Sequence, residues 1–337
     1  MTKFRITYLA QTLILTLSSF TLAQEVAEEV AKKVVDQAEI FKTATAIANE
    51  DLSKLKHPLK PMLWKIEGND LKKASYLFGS VHVADENIIT LHPAAEAAYQ
   101  QADTLATEVS MGLMTQLRGT RKMIRNDGKT LKEAIGEETY AELNTLLADI
   151  DPVLSAAPFS KMKTWAVMIL HGMIEEQMKG GKPLDLILWE RADEDDKKQW
   201  ALETIDGQMG GFDKLTEAEQ LILLKDSISA AKLLKKEKLD SITLLKNLYL
   251  KGDAEKLMET LTLLGKLDGM NQEVGEKFEK LILFDRNERM VAKILETFKK
   301  MPDKSHFIVA GTMHYLGDNN VSELLRKQGY KITRVEK

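Results

Sequence analysis

Tyr76-Leu77-Phe78-Gly79-Ser80-Val81-His82 and Ile308-Val309-Ala310-Gly311-Thr312-Met313-His314 lie far apart in the chain yet follow one plan: an apolar run, glycine, a hydroxyl residue, an apolar residue, histidine. An aspartate follows each, Asp85 and Asp318. Glycine at a strand end lets the backbone turn or pass close to a neighbour, and the histidine then projects from the loop beyond the sheet. In open α/β sheets, ligands bind at that rim. The chain has only six histidines, so two of them in matching strand-end positions point to a shared site on adjacent strands.

Outward from these stretches, strand-like runs cover Met62 to Glu67, Ser75 to Val83 and Thr104 to Ser110. A helix opens at Pro93, where the missing N–H costs nothing. The middle of the chain reads as helical, with capping boxes at Thr130 with Glu133 and at Thr216 with Glu219. A helix from Lys161 to Met178 stops at Gly180-Gly181. One strand, Gln199 to Glu203, interrupts this region, and further helices fill residues 218 to 300 with breaks near Gly252 and Gly265. The chain returns to β structure at His306 to Ala310. It then forms a helix opened by a capping box from Asn320 to Glu323 and closed at Gly329, and ends in a strand from Tyr330 to Val335. The expected fold is α/β, with a central mixed sheet formed by N- and C-terminal parts of the chain and a large, mostly helical insertion.

The first residues read differently. Lys3 and Arg5 precede an apolar stretch centred on Leu13-Ile14-Leu15 that ends at Thr21-Leu22-Ala23. This is the pattern of a signal peptide over residues 1 to 23. Gln11, Thr12, Thr16, Ser18 and Ser19 make it a poor membrane span. A periplasmic or secreted location is therefore expected, with no stable span after cleavage. Residues 24 to 61 read as an N-terminal extension: Val26, Val30, Val34, Ala38 and Phe41 have helical spacing, and His57-Pro58-Leu59-Lys60-Pro61 ends the helix. Residues 62 to 337 form the main domain.

The formal charge is −4, and loss of Lys3 and Arg5 would take it to −6. No basic field exists to attract nucleic acid. The absence of cysteine leaves His, Asp, Glu or backbone oxygen to hold any metal. Glu108 ends the apolar run Leu105-Ala106-Thr107, where an ionised carboxylate is costly unless paired or bound to a cation. Two imidazoles and one carboxylate suit a divalent first-row metal with positions left for water. The chain has no His-Glu-x-x-His and no Gly-x-Ser-x-Gly, and Gly180-Gly181-Lys182 lacks the rest of a phosphate-binding loop. His171 and Glu175, at i,i+4, read as a surface pair, and Met162, Met168 and Met173 as core filler.

From Leu63-Trp64-Lys65 to its end the chain resembles the TraB/GumN family, which includes the Tiki metalloproteases and is related in fold to ChaN-like and erythromycin-esterase-like proteins. The resemblance runs through Leu77 to His82, Ala102-Asp103-Thr104-Leu105 leading to Glu108, Leu202-Glu203-Thr204 with Gln208, Tyr249 to Asp253, Arg286-Asn287 with Met290, Gly311 to His314, Leu324-Leu325 and Gly329-Tyr330. Tyr315 departs from it, standing where an aliphatic residue is common, and the N-terminal helix is extra. The resemblance implies a metal-dependent hydrolase, in characterised Tiki members a peptidase working with divalent cations. Carried over by position, His82, His314 and Glu108 are the expected metal site, with Arg286 and Glu203 as supporting catalytic residues.

The reading that follows is an exported hydrolase for a peptide or small-molecule substrate, with manganese, cobalt or zinc as cofactor. Glu108 is either ligand or general base, and Arg286 is placed to stabilise an oxyanion. Two alternatives stand beside it: a non-catalytic peptide- or metal-binding protein, and an esterase-like hydrolase with histidine as general base.

Overall fold

In the computed structural model, residues 38–69, 71–265, 267 and 269–336 are described. The signal segment and Val26, Val30 and Val34 lie outside them. Six strands form one sheet: β1 (Leu63–Glu67), β2 (Ser75–Ser80), β3 (Thr104–Thr107), β4 (Lys198–Ala201), β5 (His306–Gly311) and β6 (Lys331–Val335). The helices are α1 (residues 38–48), α2 (Glu86–Ile89), α3 (Pro93–Gln101), α4 (Leu113–Lys122), α5 (Leu131–Ile150), α6 (Thr164–Lys179), α7 (Leu184–Glu194), α8 (Ile205–Phe212), α9 (Glu217–Lys236), α10 (Ser241–Lys251), α11 (Ala254–Leu264), α12 (Gln272–Glu279), α13 (Asp285–Lys300) and α14 (Val321–Lys327).

The sheet order is β4-β3-β5-β2-β1-β6. The four strands from β4 to β2 are parallel, and β1 runs antiparallel to both β2 and β6. This is the expected mixed sheet, in which strands from the N- and C-terminal parts of the chain interleave and the edge strand β4 comes from the middle. Period-two alternation sends successive side chains to opposite faces. Met62, Trp64, Ile66, Leu77, Ala106, Ile308 and Ala310 pack beneath α10, α13 and α14. Leu63, Phe78, Leu105, Phe307 and Val309 pack against α3 and α7. Covered on both sides, β5 reads as the unbroken apolar run Phe307–Ala310, as an interior parallel strand should.

The strands β2, β3 and β4 stop two or three residues earlier than the sequence pattern suggests. The β2–β5 pairing ends at Ser80 with Gly311, where Thr312 turns the chain into a 3-10 segment, Thr312–Tyr315. Without a partner the β2 ladder cannot continue, so His82 sits in a loop just past its strand; Glu108 lies one residue past β3. Phe41, Ala44 and Ile47 of α1 are buried with Leu244 and Leu248 of α10, so this part of the extension belongs to the core.

Both capping boxes at Thr130 and Thr216 form. At Asn320 only half of one does: its side chain caps the Glu323 N–H, while Glu323 reaches back to the N–H of Asn319. His171 corrects the surface-pair reading. It is buried, with Nε2 2.7 Å from Ser227 Oγ on α9, while Glu175 is exposed. Between α12 and α13 the helix passes through a π-helical turn, Lys280–Phe284, a widening often found beside functional sites.

Gly79 is glycine because neighbours crowd it. A Cβ there would meet Thr312 Oγ1 at 2.9 Å, Thr312 Cα at 3.1 Å and Met62 Cβ at 3.2 Å. Gly79→Ala is expected to destabilise the fold by about 1–3 kcal/mol through overpacking, read as a lower urea midpoint at unchanged slope. Burial holds the His171 pKa down at about 4, so the unfolded chain takes up a proton there that the folded chain refuses. Stability is therefore expected to fall as pH drops from about 6.5 toward 4. A His171→Leu variant should show a shallower fall in urea titrations across that range.

Candidate active site

Four parallel strands side by side place their carboxyl ends on one rim. Glu203 lies two residues past β4, Glu108 one past β3, His314 three past the end of β5, and His82 two past β2. The strand order puts these side chains in sequence along the rim, where open α/β sheets bind ligands. All five expected site residues, Arg286 included, belong to this region.

Glu108 is buried and fully engaged. Its Oε1 accepts the Gly311 N–H at 2.7 Å and lies 3.8 Å from His314 Nε2. Its Oε2 accepts from Gln208 Nε2 at 3.0 Å and from the Arg286 guanidinium. A Cβ on Gly311 would stand 3.3 Å from Glu108 Oε1, so this second glycine makes room for the carboxylate against the backbone. Burial works against ionisation of Glu108, but the charges of its imidazole and guanidinium neighbours and the Gly311 N–H outweigh it, holding the carboxyl well below the usual carboxylate range. His314, its own pKa lowered to about 4, is neutral near pH 7, where the positive neighbours are Arg286 and His82, whose pKa is raised to about 9.

Arg286, in the first turn of α13, bridges two carboxylates. Its Nε donates to Glu203 Oε1 at 2.7 Å, Nη2 lies between Glu108 and Glu203, and Nη1 donates to the carbonyl of Ile282 in the π-helical turn at 3.2 Å. Burial raises the Glu203 pKa against the pull of Arg286. The Glu203 N–H donates to the Glu108 carbonyl at 2.9 Å, so the two acids are locked as neighbours.

The two histidines stand in different surroundings. His314 is buried, with Nδ1 2.6 Å from Asn287 Oδ1. Burial, helped by Arg286 and His82 and opposed by Glu108, lowers its pKa to about 4. The His82 side chain is half exposed yet sits in a recess surrounded by protein, with Nδ1 3.1 Å from Asp185 Oδ2. The charge and hydrogen bond of Asp185 outweigh burial and raise its pKa to about 9. His82 thus makes its ion pair with Asp185 and not with Glu108, though Glu108 also raises its pKa, and its own charge lowers the pKa of both Glu108 and His314.

The aspartates following each histidine do not touch the imidazoles. Asp85 caps α2 and pairs with Lys246, while Asp318 is exposed. The carboxylate that reaches His82, Asp185 at the start of α7, was missed by the sequence reading; its only signal is an acid inside the buried stripe Leu184, Asp185 and Leu188. Gln208 and Asn287 lie within the stretches that carry the family resemblance, but nothing in their sequence context signals a role. Among the described residues, no group of three His, Asp or Glu side chains closes tightly enough to hold an ion as the side chains stand. Glu108 Oε2 is taken by Arg286 and Gln208, and His82 is turned to Asp185. In kind the donors fit a divalent first-row cation: two imidazole nitrogens and the carboxylate oxygen Glu108 Oε1, 3.8 Å from His314 Nε2.

The profile of the TraB/PrgY/gumN family matches residues 62–334. Among curated proteins the chain is similar to Metalloprotease TIKI1 of Danio rerio, 21% identical over 81% of this chain and 63% of the relative. Metalloprotease TIKI2 of Xenopus tropicalis is 22% identical over 83% and 61%, and Metalloprotease TIKI1 of Homo sapiens 22% identical over 86% and 65%. The chain thus spans less than two thirds of the length of these relatives. No solved structure matches it.

Removing one partner of a buried ion pair strands the other, at a cost of about 3–5 kcal/mol. Arg286→Met is expected to destabilise the fold by that order, because it leaves Glu108 and Glu203 adjacent and uncompensated. Chemical denaturation at pH 7 measures it.

Proposed function

The chain belongs to the TraB/PrgY/gumN family, and from that premise we propose that it is a metal-dependent peptidase working outside the cytoplasm. The observation that carries the reading is the gathering of both Gly-x-x-His imidazoles and a strongly ionised Glu108 on one rim of the sheet. The Tiki relatives, named as metalloproteases, support the same reaction class. Export is read from the signal pattern of residues 1 to 23, and no helix among the described residues is long and apolar enough to cross a membrane.

In this reading His82 and His314 hold the cation. Bound there, manganese, cobalt or zinc would acidify a water and polarise the scissile carbonyl. Glu108 adds a negative charge beside His314. A carboxyl held so far below its usual range is a weak proton acceptor, which favours a ligand role over that of general base. Arg286 fixes Glu108 and Glu203 in place. Its donors are committed to them and to Ile282, so its contribution is to orient and neutralise rather than to meet the substrate directly.

The opposite displacement of the two imidazoles, His82 toward about 9 and His314 toward about 4, favours a second reading. Groups pushed apart in this way divide into acid and base. A neutral His314 would take a proton from water and a protonated His82 would give one to the leaving group, as in the esterase-like alternative.

Peptide hydrolysis by the purified chain is expected to disappear on chelation and return with added manganese, cobalt or zinc. Single changes His82→Ala, His314→Ala and Glu108→Gln should each lower kcat/KM by roughly 100-fold or more, while Asp85→Ala should leave it nearly unchanged. Hydrolysis that survives exhaustive chelation would support the acid–base reading. Metal-loaded protein that cleaves nothing in a broad peptide library would leave a binding protein.

A further inference from the structure

The hydrogen-bond partners of the two histidines decide which ring nitrogen faces the rim. Asn287 is buried, and its Nδ2 donates to the carbonyl of Asn319 at 3.0 Å. A carbonyl can only accept, so the amide orientation is settled and Oδ1 is the atom 2.6 Å from His314 Nδ1. An amide oxygen can only accept in turn, so His314 Nδ1 must carry the proton. Asp185 leads to the same result by a different route. Its carboxylate lies 3.1 Å from His82 Nδ1 and is buried, and its second oxygen, Oδ1, has no partner among the described residues. Among the described residues the imidazole is thus the one donor offered to that carboxylate, and a carboxylate accepts.

We propose that Asp185 and Asn287 are the positioning residues of the site, holding His82 and His314 by Nδ1–H so that each neutral ring presents an unprotonated Nε2 to the rim. The two come from different layers. Asp185 rises from α7 on the face that also receives Phe78, and Asn287 from α13 on the opposite face. The helices on the two sides of the sheet thus each orient one imidazole of the pair. Which nitrogen of a histidine is free is set by the bond the other makes, and partners of this kind typically govern metal affinity by 10–100-fold. The inference rests on the reading of His82 and His314 as cation ligands.

The test uses the full chain, labelled with nitrogen-15 and free of metal, and records the imidazole nitrogen shifts by NMR at pH 7 for His314 and at pH 10 for His82. The expected result is Nδ1–H with bare Nε2 in both rings. In Asp185→Asn the new amide can offer N–H to Nδ1, so His82 should move to the Nε2–H form. Asn287→Leu should release His314 into a mixture, whereas Asn287→Asp, which keeps an acceptor, should preserve Nδ1–H. Titration with manganese or zinc alone should show affinity 10–100-fold weaker in Asp185→Asn and Asn287→Leu, with thermal transitions confirming that each variant is folded. An Nε2–H form of either ring in the wild type would overturn the proposal, even if a variant failed to fold. So would metal affinity within twofold of wild type in a folded Asp185→Asn. If the wild type binds neither cation, the metal reading falls, and the wild-type ring shifts alone decide the orientation.

Discussion

One guanidinium holds the rim together. Glu108 and Glu203 end adjacent strands and are bonded through their backbones, so their carboxylates are forced into proximity inside a dry region. Two like charges in that position would repel and expel one another from the fold. Arg286 converts the repulsion into a bridge, its planar fork meeting both acids while Nη1 returns to its own helix. Because Arg286 belongs to α13, the last helix of the insertion, the bridge also docks that helix onto the sheet. The next residue along, Asn287, then meets His314. The placement of one imidazole is therefore tied to the neutralisation of two carboxylates.

The fold was legible in the sequence where a local physical rule acts without competition. Apolar runs with glycine at their ends marked β2 and β5, and capping boxes placed the starts of α5 and α9. Strand ends were less legible, because a strand stops where its partner leaves, and the departure of Thr312 from β5 is set by a segment far along the chain from Ser80. Among the rim residues, His82 and His314 could be named from their glycines, Glu108 from its charge at the end of an apolar run, and Glu203 and Arg286 from the family resemblance alone. Asp185 could not. An acid in a first helical turn reads as a complement to the helix dipole, and nothing local distinguishes one that instead faces inward to a histidine. His171 misled for a related reason: the i,i+4 spacing to Glu175 is real, but the face it occupies is decided by α9.

The repeated motif does not confer equal surroundings. His82 stands half exposed in a recess beside a carboxylate, and His314 lies buried beside an amide. The difference traces to which layer supplies the partner, since α7 and α13 cover opposite faces of the sheet. Even the two glycines answer to different neighbours. Gly79 yields space to Thr312 and Met62, and Gly311 yields space to the carboxylate of Glu108.

The π-helical turn at Lys280–Phe284 bears on how this part of the chain tolerates change in length. Successive residues of an α-helix are rotated by about 100°, so Arg286 and Asn287 can address different partners only at one angular setting of α13. The wide turn immediately before them absorbs the mismatch between the phase of α12 and the phase that the rim demands. Loss or gain of a single codon within this turn would swing α13 by about that same angle, turning both side chains off their targets while leaving an unbroken helix. Between these two helices the residue count therefore decides which side chains of α13 face the rim.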